Sequence, residues 1–389
     1  MGKWSVYYKT AFNRIKPDFV VLSVLLILFG SCVTEFIPET TEKKNLLIVE
    51  GLITDLCETY KIKLSRSRPL GLKYQVNPVS GALVTVSDDL GNNYYFHEKY
   101  PGIYFSDSSV FRGKTGRKYS LHIRASDTLG LYSYYESASA EMKPVPPIDS
   151  IYYEKITVRE PDVLSNGTDN CQIYLNTHDD SGNCKYFRWD FTETWEFHLH
   201  WDFPNYACWL TEKSRKILIK NTSGLVKDCI IGYPLNYISE SSDRLEVKYS
   251  ILANQYSLSQ DEHTYWEKLK RFTDDVGGLY DMIPSNVPGN ISCITHPEEQ
   301  VLGYFSVSAK TSRRIFIKDH FAGQVNIYSA CASEKISNPG DIPGIGSWVW
   351  ILERNDFTVP PYVVLTSDKG CIDCTVRGSN IRPDFWDEK

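Results

Sequence analysis

The chain has 389 residues, 42% hydrophobic and 23% charged, which excludes a disordered chain and leaves room for two or three domains. Its formal net charge of -6 argues against recognition of nucleic acid or an anionic membrane through bulk charge. Tyr (26) and Trp (9) are plentiful, Met (3) is scarce and turn formers are frequent (Gly 24, Pro 19), a balance that favours a mainly β fold.

Lys3, Lys9, Arg14 and Lys16 precede an apolar run from Phe19 to Phe29. That run is too short to cross about 30 Å of hydrocarbon as a stable helix, so residues 1–31 read as a secretory signal peptide. Gly30-Ser31-Cys32 resembles a bacterial lipobox, in which the Cys32 thiol takes a diacylglycerol thioether; beyond that lipid, no cofactor is expected. Residues 32–45 would be a lipidated polar tether. Glu35, Glu39 and Glu42 resemble acidic surface-export signals, which favours the cell-surface face of the outer membrane over the periplasmic face.

From 46 to 143 short alternating runs follow one another: Leu46 to Ile53, Tyr60 to Leu64, Gly81 to Val86, Asn93 to Phe96, Gly102 to Phe105 and Lys118 to Arg124. Asp88-Asp89-Leu90-Gly91 is the turn of a hairpin. The spacing predicts an N-terminal Ig-like β-sandwich, and the run G-A-x-V-x-V…D-x-x-G…G-x-Y resembles transthyretin-like and carboxypeptidase-regulatory sandwiches. Residues 144–149, holding Pro144, Pro146 and Pro147, form a linker, because prolines deny ladder donors; 46–143 is expected to fold alone.

Residues 150–389 then read as a larger β-rich domain with one clear helix. Its strands are expected at Ile148 to Ile156, Val301 to Ser308, Arg314 to Lys318, Val349 to Leu352 and Tyr362 to Leu365. The clearest pattern runs from Phe187 to Asp202, with Phe187, Trp189, Phe191, Trp195, Phe197, Leu199 and Trp201 on one parity and Glu193 as the exception. A strand of that length predicts a bulge near Glu193. Ser259 and Glu262 form a capping box that opens a helix near 260–276, stopped by Gly277-Gly278.

Ten cysteines are present, and with Cys32 committed to lipid the remaining odd number leaves at least one thiol unpaired. In an oxidising compartment Cys208, Cys229, Cys331, Cys371 and Cys374 are the cysteines expected to form disulfides. Cys208 and Cys229 bracket a short loop, and at least one of Cys371 and Cys374 is expected to bridge to the other or to Cys331. His198 and His200 share the polar parity of the long strand and are a weak metal-ligand pair, with a solvated strand face as the plainer reading. Trp209, Trp348 and Trp350 are candidate binding aromatics. No G-x-S-x-G, H-E-x-x-H or phosphate loop occurs, so no catalytic residue is nominated.

A set of longer motifs carries a family resemblance: L-x-x-x-G-x-I-T-D (47–55), P-V-S-G-A-x-V (78–84), P-P-I-D-S-I-Y-Y (146–153), Y-S-I-L-x-x-Q-Y-S-L-S (249–259), V-L-G-Y-F-S-V-S (301–308), C-x-D-C (371–374) and P-D-F-W (383–386). The chain resembles the domain-of-unknown-function 4249 family of Bacteroidota outer-membrane lipoproteins. The resemblance implies a surface binding or accessory subunit that partners a TonB-dependent transporter, its ligand unspecified. An extracytoplasmic metal-assisted enzyme and an adhesion or scaffold module are the alternatives.

Overall fold

The computed structural model describes residues 45–67, 77–126, 130–158, 167–274, 287–322, 331–337 and 350–387. The expected signal peptide, Cys32, residues 33–44 of the tether, the Gly277-Gly278 stop and Trp348 lie outside them. Among the described residues no helix is long and apolar enough to cross a membrane.

The fold is β-rich, with one α-helix among the described residues. The strands of the N-terminal part are β1 (Leu47–Ile53), β2 (Lys61–Arg66), β3 (Asn77–Pro78), β4 (Leu83–Asp88), β5 (Asn93–Tyr100), β6 (Ile103–Phe105), β7 (Lys118–Ser126), β8 (Tyr132–Ser137) and β9 (Ala140–Glu141). Next come β10 (Ile148–Val158), β11 (Thr168–His178), β12 (Tyr186–His198), β13 (Ala207–Lys213), β14 (Leu218–Asn221), β15 (Cys229–Ile238) and β16 (Lys248–Ser257). Helix α1 (Gln260–Asp274) is followed by β17 (Ile291–Cys293), β18 (Leu302–Val307), β19 (Lys310–Ile317), β20 (Glu334–Ile336), β21 (Trp350–Asn355) and β22 (Tyr362–Thr366).

The first sheet runs β17-β8-β7-β4-β5-β6-β2-β1-β18 and curls around one core. Alternation drives it: Leu47, Val49, Ile62, Leu64, Val84, Val86, Leu121 and Ile123 all point inward and are fully or almost fully buried. The β4–β5 hairpin turns on Asp88, whose carboxylate accepts from the backbone N–H of Leu90 and Asn92 at 3.0 Å. Burial alone would raise this carboxyl, but bonds from Asn92, Leu90 and Tyr94 hold it at about 2.

Both outer strands of this sheet come from beyond residues 144–149. β18 pairs in parallel with β1, Ile48 opposite Leu302 through Ile53 opposite Val307, and β17 pairs with β8. Phe305 supplies a fully buried ring to the core. Gly303 has φ +88°, and a Cβ there would meet the Val49 carbonyl oxygen at 2.0 Å, so this approach of β18 to β1 requires glycine.

The second core lies between the five-stranded sheet β13-β12-β16-β19, with β14 alongside β12, and the three-stranded sheet β10-β11-β15. Trp189, Trp195, Phe187 and Phe197 of β12 face Ile173 and Leu175 of β11 across it. β12 ends at His198, short of the expected Asp202, and its register against β16 is continuous from Phe187 to Glu196, with no bulge at Glu193. Glu193 is buried instead: its Oε2 accepts from the Tyr249 hydroxyl at 2.8 Å and the Asn236 amide at 3.2 Å, and Arg244 Nε lies 3.4 Å from Oε1. The partners make the strand tolerate a carboxylate where its pattern calls for an apolar residue.

The proline-rich segment is pinned to this second core. Gln255, fully buried, donates to the Pro146 carbonyl at 2.8 Å and to Thr177 Oγ1 at 3.0 Å, while accepting from Trp189 Nε1 at 2.8 Å. Ser257 Oγ donates to the Lys143 carbonyl at 2.7 Å.

Two disulfides brace the C-terminal part, Cys208–Cys374 and Cys331–Cys371. Cys371 thus joins Cys331, one of the partners considered for it. Cys208 does not join Cys229, because β13 and β15 belong to different sheets; Cys229 opens β15 opposite His178 and is a free thiol. In the C-terminal tail Trp386 is fully buried, its Nε1 donating to Glu196 Oε2 at 3.0 Å.

Two outcomes are expected. A fragment of residues 44–143 lacks β17 and β18, so it should bind hydrophobic dyes and give poorly dispersed amide resonances; a cooperatively folded fragment would contradict the pairing of β1 with β18. Peptide mapping without reduction should recover the two bridged pairs and an alkylatable Cys229, and replacing Cys331 and Cys371 by Ser, which opens a loop with a sequence separation of 40, should destabilise the chain by about 2–4 kcal/mol in chemical denaturation.

Candidate functional site

The alternation of β12 sends Arg188, Asp190, Thr192, Thr194, Glu196 and His198 to the face opposite the aromatic core. This face is not simply solvated. The C-terminal tail covers its far end, where Trp386 meets Glu196, and helix α1 covers its near end, where Trp266 meets Arg188. Between α1 and the β1–β18 pair lies an open cleft of about 470 Å³.

Each wall follows from local sequence. β1 and β18 in parallel register bring Glu50 beside Tyr304 and Leu52 beside Ser306, so one sheet edge offers a carboxylate, a phenol and a hydroxyl in a row. Lys61 comes from β2, opposite Leu52. Helix α1 starts where Ser259 Oγ accepts from the Glu262 backbone N–H at 3.1 Å. The Glu262 side chain turns inward, with Oε1 accepting from Ser306 Oγ at 2.6 Å and from Trp266 Nε1 at 3.2 Å. The expected capping box is therefore one-sided: Glu262 fastens the helix to β18 and orients Trp266. One turn of helix places Tyr265 against Tyr304, with ring centroids 4.7 Å apart.

Glu262 is 3% exposed. Burial pushes its carboxyl above the ordinary range, against the attraction of Arg188 and the bonds from Ser306 and Trp266. His263 beside it is also buried, and burial lowers its basicity. Its Nε2 has no hydrogen-bond partner among the described residues. Arg188 lies over the rings of Tyr256 and Trp266, with its guanidinium carbon 4.7 Å from each centroid. Its Nε is buried with no hydrogen-bond partner among the described residues, a condition that costs about 1–3 kcal/mol for a typical donor. Asp190, two residues on, accepts from the Asn254 amide at 2.6 Å.

The residues singled out from the sequence fall elsewhere. His198 Nε2 is 2.8 Å from Glu196 Oε1, and this contact, with Trp386 as second donor, keeps the Glu196 carboxyl low against the effect of burial. His200 lies past the end of β12, edge-on to Trp201 with centroids 4.8 Å apart, so the two imidazoles do not share one strand. Among the described residues no three His, Cys, Asp or Glu side chains are grouped to hold a metal ion. Trp209 is half-buried and exchanges backbone hydrogen bonds with Ser379 at 2.8 and 2.9 Å. Trp350 opens β21, half-buried, in the separate three-stranded sheet β20-β22-β21. None of these lines the cleft.

A family model described as a domain of unknown function (DUF4249) matches residues 33–314, and the chain belongs to that family. The matched stretch includes every residue that lines the cleft. No curated protein matches the chain.

The state of Glu262 gives a pH prediction. A carboxyl raised by folding contributes stability below its unfolded value, and that contribution is lost as pH rises through the folded value. Glu262→Gln keeps an acceptor for Ser306 and Trp266 without the buried charge. Its melting temperature should match the wild type near pH 4 and rise relative to it as pH increases to 8. A constant difference across that range, in thermal melts by circular dichroism, would show that Glu262 does not titrate anomalously.

Proposed function

From membership of the DUF4249 family, we propose that the chain is an outer-membrane lipoprotein that captures a small ligand at the cell surface, as accessory subunit to a TonB-dependent transporter. The observation that carries the capture reading is the cleft between α1 and the β1–β18 pair. Its size of about 470 Å³ suits a small organic ligand, and its walls combine aromatic faces with charged groups. The lining contains no histidine or cysteine, and the Ser306 hydroxyl is committed to Glu262, so these side chains favour holding a ligand over attacking one.

The location rests on the signal-like start and Gly30-Ser31-Cys32, and two disulfides are in keeping with an exported chain. Lipid at Cys32 would confine the protein to the plane of the membrane and raise its effective concentration near a receptor. The transporter partnership comes from the family resemblance.

The test is co-purification. A tagged full-length chain extracted gently from outer membranes should bring down a β-barrel receptor, and Cys32→Ala should abolish both flotation with outer membranes and that co-purification. An unlipidated N-terminal peptide in the wild type, or a wild-type chain that elutes with no barrel protein, would overturn the reading.

A further inference from the structure

The cleft has an imbalance of satisfied charges. Two carboxylates and two cations line it. Both carboxylates are engaged: Glu50 Oε1 takes Lys63 Nζ at 2.9 Å, and Asp190 takes the Asn254 amide and the Tyr256 hydroxyl. The cations are not. Neither the Arg188 guanidinium nor the Lys61 ammonium has a hydrogen-bond or ion-pair partner among the described residues. Arg188 is held against Tyr256 and Trp266, which fixes the plane of the guanidinium and leaves its in-plane N–H donors unspent. Glu262 attracts Arg188 through space, but its Oε1 is taken by Ser306 and Trp266.

We propose that the cleft binds small organic monocarboxylates, the carboxylate received by Arg188 with Lys61 at the rim, and the apolar, ring-bearing body lying against Trp266, Tyr265 and Tyr304. A fixed guanidinium fork matches a carboxylate in geometry. The nearby Glu50 and Asp190 disfavour a doubly charged phosphate ester, because a second negative charge adds repulsion that one Arg and one exposed Lys do not offset. The three rings cover a flat body without asking it for polar groups, since Trp266 Nε1 is already given to Glu262. This assignment rests on the reading of the cleft as a capture site, and it is independent of the lipid anchor and of any transporter.

The probe pair is hydrocinnamate and hydrocinnamyl alcohol, which share a ring and a chain and differ in the charge. Calorimetric titration of the purified full-length chain should show the acid binding about tenfold more tightly than the alcohol, the ratio expected when one charge-assisted pair is made. Arg188→Gln should bring the two affinities together. Lys61→Gln, at an exposed position that leaves the melting temperature unchanged, should narrow the ratio part of the way and serves as the decisive variant if Arg188→Gln does not fold. Equal affinities in the wild type, no binding of the acid, or a full preference retained in a folded Arg188→Gln or in Lys61→Gln would overturn the proposal. Acid preference in a chain that brings down no receptor would instead overturn the accessory role alone.

Discussion

The parallel pairing of β1 with β18 is the constraint on which the architecture depends. Parallel neighbours need a crossover between them, and here that crossover contains the rest of the first sheet, α1 and β10 to β16, which supply most of the second core. Because β18 must lie beside β1, α1 is carried to the edge of the first sheet, and the face of β12 that bears Arg188 is carried with it. Gly303 permits the approach, since any side chain would collide with the Val49 carbonyl. The cleft is thus a product of chain topology rather than of any one local motif.

At several places where the elements meet, buried polar side chains join them. Glu262 joins α1 to β18 through Ser306, Gln255 joins β16 to the Pro146 carbonyl, and Ser257 reaches Lys143. Buried polar groups of this kind are costly when half satisfied and specific when complete. They fix the orientation of neighbours that apolar packing alone would leave free to slide. Glu193 plays the same part inside the second core, holding Tyr249 and Asn236 together.

Much of the fold was legible because alternation is local. The strands beginning at Leu47, Lys118, Ile148 and Tyr362 lie close to where period two places them, and Ser259 marks the start of α1. Period two predicts the strand that begins at Phe187 but not its end, since Leu199 and Trp201 keep the parity past the last residue of β12. Glu193 looked like a break because a sequence shows the odd residue without its distant partners Tyr249, Asn236 and Arg244. The cleft was illegible for the same reason. Arg188 sat visibly on the polar parity and Trp266 in the helix, yet nothing within either segment indicates that they stack. The cysteines mislead in a related way: proximity in sequence linked Cys208 to Cys229, whereas the sheets set them apart.

The order of synthesis meets this topology awkwardly. A chain emerging from its amino end presents β1 to β9 long before β17 and β18 exist to flank them, so both outer edges of the first sheet stand open while β10 to β16 and α1 are still being made. Open edges are templates for pairing with other chains. The first sheet is therefore the earliest part to appear, yet it is completed only with β18, and its exposure to aggregation is set by how fast residues 144–301 follow. An insertion that lengthens that stretch would prolong the vulnerable interval without touching a single contact of the finished fold.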